Sequence, residues 1–260
     1  MLLSTENLLL LCLGFFIVAT LYSSVGFGGG SSYLALLSLF LGGFFAIRSI
    51  ALICNLVVVS GSTYLYFKNG HAKLKDFMPF VITSIPLAFI GASFRLEEHI
   101  FFILLGFSLV ISSVFLAGQT VSIKKNSERI KSYPKYLSYL LGGGIGLLSG
   151  LVGIGGGIFL APVLNHLKWD KSIKIAALAS FFILVNSVSG LAGLFQGDML
   201  ELPWKGTIAL VISVLIGGQL GIRLSLKRLT PKGIKRVTAL LVFVVGLRIL
   251  VKYLPQLFLN

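Results

Sequence analysis

Two glycine clusters are the residues in this chain whose type and spacing could do chemistry. They are Val25-Gly26-Phe27-Gly28-Gly29-Gly30 and Val152-Gly153-Ile154-Gly155-Gly156-Gly157. Both read V-G-[FI]-G-G-G. Glycine adopts positive φ freely and lets a ligand touch the backbone. Each triplet opens a short apolar leg, expected as helix over Ser31–Leu41 and Ile158–Leu164. Successive backbone N–H groups running into a helix N-terminus form a nest for an anion. The plainer alternative is close helix packing or a tight hairpin with no ligand. Neither cluster completes G-x-G-x-x-G, neither has the Lys-Ser that follows a P-loop, and neither follows a strand, so nucleotide binding is rejected.

Neutral polar residues surround the clusters. Ser23, Ser24, Ser31 and Ser32 flank the first, and Ser149 lies near the second. The helices that follow carry Asn55, Ser60, Ser62, Thr63, Ser180, Asn186, Ser187 and Ser189. Such groups solvate an oxyanion without formal charge, although each also serves as an ordinary hydrogen-bonding group between membrane helices. Ser180 and Asn186 are preferred because they fall on the helix directly after the second cluster. Arg48 and Lys174 occupy equivalent places at the start of the two post-cluster helices, where a cation would draw an anion toward a glycine tip. Their alternative role is to snorkel to the membrane surface.

Other chemistries lack their residues. The eight acidic residues, Glu6, Asp76, Glu97, Glu98, Glu128, Asp170, Asp198 and Glu201, all fall in loops or at helix ends. His71, His99 and His166 are near ends and unclustered, and Cys12 and Cys54 sit in apolar runs without a CxxC partner. No nucleophile–base pair or ligand cluster is visible, so neither enzyme activity, a metal nor a cofactor is expected.

These residues must be positioned by membrane helices. Of 260 residues, 56% are hydrophobic and only 12% charged, against about a quarter charged in a soluble domain. The chain must therefore meet lipid, which excludes a soluble enzyme, a disulfide scaffold and a disordered protein. The net charge of +14 is carried between apolar runs and points to topology and anionic lipid rather than nucleic acid. Met1–Leu10 contains Glu6 and no Lys or Arg, so the first apolar run is expected to stay as a membrane segment.

Single spans are expected over Ile47–Phe67, Phe77–Phe94, Ile100–Ala117, Lys174–Phe195, Trp204–Leu224 and Gly233–Leu250, with two longer stretches, Leu8–Ala46 and Tyr136–His166, broken by the clusters. The clusters repeat at an offset of 127; Arg48/Lys174, Ala51-Leu52/Ala177-Leu178 and Ile90-Gly91/Ile216-Gly217 repeat at 126. The expected fold is therefore an all-α integral membrane protein of two repeats, 1–118 and 136–260, joined by a cytoplasmic linker at 119–135. If each broken stretch is a hairpin, 17 of the 22 basic residues lie on one face and 5 on the other. The positive-inside rule then makes the 17-residue face cytoplasmic and puts both termini outside. Each half has an odd number of crossings, so the second repeat is inverted. That is a transporter architecture with a site at the repeat interface.

The chain resembles the sulfite exporter TauE/SafE family of membrane permeases. The likeness covers almost the whole sequence. It rests on Gly150-Leu-Val-Gly153-Ile-Gly155-Gly156-Gly157 with Ala161-Pro162, and on Ser23-Ser-Val-Gly26-Phe-Gly28-Gly29-Gly30. Ala176–Ser180 and Gly217-Gly218-Gln219-Leu220-Gly221 support it. Ala35 stands where the second half has Pro162, so the hairpins need not be equally broken. The resemblance implies carriage of sulfite, thiosulfate or an organosulfonate through the cell membrane. The expected binding set is Ser24, Gly26, Gly28, Gly29, Gly30, Ser31, Arg48, Asn55, Gly153, Gly155, Gly156, Gly157, Lys174, Ser180, Asn186 and Gln219. A passive anion channel and a non-transporting membrane assembly protein stay open as alternatives, and the absence of a charged ring in the helices favours a carrier over a channel.

Overall fold

The computed structural model describes residues 4–24, 26–41, 43–121, 130–227 and 231–255. Val25 of the first cluster, residues 122–129 of the expected linker and the terminal residues 1–3 and 256–260 lie outside the described residues. The described chain is all-helical: α1 (Thr5–Ser23), α2 (Gly30–Leu37), α3 (Phe44–Lys68), α4 (Leu74–Ser93), α5 (Glu98–Val121), α6 (Lys135–Val152), α7 (Gly157–Leu167), α8 (Ser172–Gln196), α9 (Trp204–Lys227) and α10 (Pro231–Tyr253). The six expected single spans become α3, α4, α5, α8, α9 and α10. Among the described residues, six helices, α1, α3, α4, α5, α8 and α9, are long and apolar enough to cross a membrane. Leu140 and Phe195, each 71% exposed, belong to an outward apolar surface that suits lipid and not water.

Both long stretches break at their glycine clusters. The first yields α1 and α2, the second α6 and α7. The short leg α2 ends at Leu37 rather than Leu41. There the Ser38 hydroxyl donates to the Ala35 carbonyl at 2.8 Å, a local bond of the kind that competes with the helical ladder. The leg α7 instead runs on to Leu167, with Pro162 inside it. At 1.5 Å rise per residue, α2 and α7 are about 12 and 16 Å long, far short of a bilayer core of about 30 Å. Neither short leg spans.

At the centre α3 packs on α8; around them α1 runs along α9, α4 along α6 and α5 along α10. Exchanging the halves maps the first of these outer pairs onto the second and the third onto itself. The two halves therefore interlock rather than sit side by side. Glycines make the close approaches. On α6, Gly142, Gly146 and Gly150 face the backbone of Phe80, Ser84 and Ala88 on α4; on α9, Gly217 and Gly221 face Phe16 and Thr20 on α1. Small residues four apart are the usual means of drawing helix backbones together where lipid offers no hydrophobic drive.

Helix ends gather at two poles. At one, Lys131 N–H donates to Lys168 O at 3.1 Å, Tyr133 donates to Leu167 O at 2.9 Å, and Lys174 meets Asp76 and Asp170. At the other, Glu201 N–H donates to Ser49 Oγ at 3.2 Å, Phe44 abuts Phe101, and Glu98 and His99 share a groove with Lys252 and Tyr253.

Candidate functional site

The two hairpin tips are built from backbone that only glycine adopts easily. Gly26 and Gly29 have φ of 83° and 93°; their counterparts Gly153 and Gly156 have 70° and 80°, and the second tip adds Gly155 at 77°. Gly29 and Gly156 are the residues just before α2 and α7, so the left-handed turn re-aims the chain into each new helix. There is no room for side chains either. A Cβ on Gly28 or Gly30 would strike the Asn55 amide, one on Gly26 would lie 2.7 Å from Ala176 O, and one on Gly155 would lie 3.0 Å from Ser187 Oγ.

Each post-hairpin helix holds the tip of the other half. Asn55 of α3 donates from Nδ2 to Ile154 O at 3.0 Å. Ser180 of α8 donates to Gly26 O at 3.0 Å. Asn55 is near mid-length of α3, and Ile183 and Ser187, which face Gly155, are near mid-length of α8. Between the tips is a small cavity lined by Tyr22, Phe27, Gly28–Ser31, Ile154, Ile158 and Ile183, with about 10 Å³ for a water-sized sphere. That is room for one water. A four-heavy-atom oxyanion is larger than this space.

Several buried polar atoms at the tips have no hydrogen-bond partner: Asn55 Oδ1, Tyr33 Oη, Ser149 Oγ and Ser187 Oγ; both amide atoms of Asn186, next to Ser187 on α8, are likewise buried and unpartnered. Native interiors leave few such groups, because each costs about 1–3 kcal/mol. A ligand or water with both donor and acceptor character would satisfy them.

Arg48 and Lys174 diverge. Arg48 is fully buried. Its Nη2 donates to Gly150 O and Leu151 O, both at 3.3 Å, at the C-terminal end of α6. Phe44 and Phe101 lie 5.6 and 5.2 Å from the guanidinium carbon, whereas Nε and Nη1 have no partner. A Cβ on Gly153 would be 3.6 Å from Nε, so this free edge borders the second tip. Arg48 does not snorkel. Lys174 is ion-paired at 2.7 Å to both Asp76 and Asp170, with a quarter of its side chain exposed.

The profile of the sulfite exporter TauE/SafE family matches residues 10–249. The chain belongs to the TauE/SafE family. Three proteins named as probable membrane transporters are similar to it. One from Sinorhizobium fredii is 32% identical over 92% of this chain and 97% of its own length. One from Methanocaldococcus jannaschii is 28% identical over 92% and 93%. One from Haemophilus influenzae is 27% identical over 61% and 56%. No solved structure matches the chain. This TauE/SafE protein is a multi-pass membrane transporter.

The other expected residues of the TauE/SafE chain are distributed as follows. Gly26, Gly28, Gly29, Gly30, Ser31, Asn55, Gly153, Gly155, Gly156, Gly157 and Ser180 are at the tips or touch them. Asn186 is buried one residue before Ser187. Ser24 turns its hydroxyl back onto Leu21 O. Gln219 packs its amide against Gly61, where α9 meets α3, and the adjacent Gly218 O accepts from Ser23 at 2.7 Å. Sequence reasoning missed Tyr22, Tyr33 and the three isoleucines that line or border the cavity. Tyr33 had a signal: it follows Gly29 by four residues, one helical turn, and its ring lies back over that glycine.

Proposed function

We propose that this transporter carries a small sulfur-containing anion, of the class of sulfite, thiosulfate or an organosulfonate, by alternating access. The anion is held between the two glycine tips by backbone N–H groups and by Asn55, Ser180, Asn186 and neighbouring hydroxyls. The tips enter from opposite poles, consistent with an inverted repeat, and the pole bearing Lys68–Lys75, Lys131–Lys135 and Lys168–Lys174 faces the cytoplasm. The observation that carries this reading is the buried set of unpartnered polar atoms around two interlocked tips, with the free edge of Arg48 alongside and no buried carboxylate among the described residues. The family description supplies the sulfur.

The small cavity favours a carrier, whose site is closed between openings to either side. Purified protein in liposomes tests this. Saturable uptake of sulfite, thiosulfate or a sulfonate, accelerated by the same anion trapped inside, is the expected result. Non-saturating current without such exchange would identify a channel, and absence of any flux would remove the proposal.

A further inference from the structure

Arg48 is, among the described residues, the only charged side chain that is fully buried. None of the seven described acidic residues is buried. The equivalent cation, Lys174, already has two carboxylates. The titratable groups buried near the first tip, Tyr22, Tyr33 and Cys54, are phenols and a thiol, neutral at pH 7 in their ordinary state. Within each hairpin the helix ends cancel, and the N-terminus of α3, close to Arg48, carries partial positive rather than negative charge. The C-termini of α1 and α6 carry about −0.5 each and the N-termini of α2 and α7 about +0.5 each, and each hairpin brings one of each sign together. The buried region beside the second tip therefore carries one positive charge with no carboxylate against it, on Arg48, whose Nε borders Gly153 while its guanidinium carbon lies 5.6 and 5.2 Å from the Phe44 and Phe101 rings. Arg48 leaves Nε and Nη1 unpartnered, and its Nη2 makes only two bonds at the long distance of 3.3 Å. Along α3 it is two turns, about 10 Å, from Asn55 at the first tip.

A buried charge without a counter-charge is strongly unfavourable, and inside a membrane it marks an ion path. One negative charge makes this region neutral. Two leave an uncompensated negative charge in its place, with no second free cation to meet it among the described residues. Resting on the reading as a sulfur-anion carrier, we infer that the occluded site is built for a single net negative charge. The protein carries monoanions such as hydrogensulfite or an alkylsulfonate and discriminates against dianions such as thiosulfate and sulfate. Arg48 is the specificity-determining residue. The apolar wall of Ile154, Ile158 and Ile183 suits the alkyl part of a sulfonate.

The test is uptake into proteoliposomes of methanesulfonate, thiosulfate, sulfate and sulfite across the neutral pH range. Methanesulfonate stays a monoanion throughout. It should enter more than about tenfold faster than thiosulfate or sulfate, at a rate that pH leaves unchanged. Sulfite uptake should fall as pH rises, in step with the hydrogensulfite fraction. Arg48→Lys should keep the preference for methanesulfonate, and Arg48→Gln should reduce uptake and abolish the preference. Thiosulfate carried as fast as methanesulfonate, sulfite uptake that rises with pH, or an Arg48→Gln protein with undiminished discrimination would each overturn the charge rule while leaving sulfur-anion transport standing. No uptake of any of the four anions would overturn both.

Discussion

Asn55 shows how one side chain ties the site together. Its Nδ2 holds Ile154 of the second tip, while its amide fills the space left by Gly28 and Gly30 of the first. Asn55→Ala should lower stability by about 1–3 kcal/mol, because the buried Ile154 carbonyl loses its donor. Gly28→Ala should also destabilise, because its new methyl meets the Asn55 amide. The double variant should be less unstable than the sum of the two, because Asn55→Ala removes what the methyl strikes. Thermal or denaturant unfolding of the four proteins in detergent measures this coupling; strictly additive losses would show that Gly28 and Asn55 do not compete for space.

At the scale of elements, the glycines divide into those that seat helices and those that face outward. A Cβ on Gly146 would lie 2.6 Å from Ser84 Cα across the α4–α6 seam, whereas one on Gly144, two positions earlier on the same helix, would meet nothing within 4 Å. Gly146→Val should therefore destabilise by roughly 1–3 kcal/mol through overpacking. Gly144→Val should leave the melting temperature unchanged or slightly raised. Melting curves of both proteins test the seam directly, and equal effects would remove it. The crossed pairs α1·α9 and α4·α6 also mean that neither half can form its helix contacts alone.

At the scale of the whole molecule, orientation follows from charge. Lys171 belongs to the basic pole and Glu98 to the opposite one, and both side chains are exposed. In a protein with Cys12 and Cys54 replaced, Lys171→Cys should react with an impermeant thiol reagent only from the cytoplasm, and Glu98→Cys only from outside. The reverse pattern would invert the proposed topology. Neither outcome depends on which anion is carried. The Lys174–Asp76–Asp170 cluster ties the starts of α4 and α8 at the basic pole, where partial exposure keeps such pairs weak.

The helices, their breaks and the repeat were legible in the sequence because each is a local or periodic property. A run of apolar residues of spanning length, a glycine triplet and a recurring V-G-[FI]-G-G-G pattern need no knowledge of the fold. So was the equivalence of Arg48 and Lys174, as a matter of position. Their different environments were not. Arg48 reaches carbonyls 102 and 103 residues away on α6, while Lys174 meets Asp76 from α4. Which buried polar group finds a partner depends on how helices distant in the chain cross, and hydropathy does not encode crossing. Only the tertiary structure decided that the two glycine tips are gripped by each other's helices, and that one of two equivalent cations is left unpaired beside them.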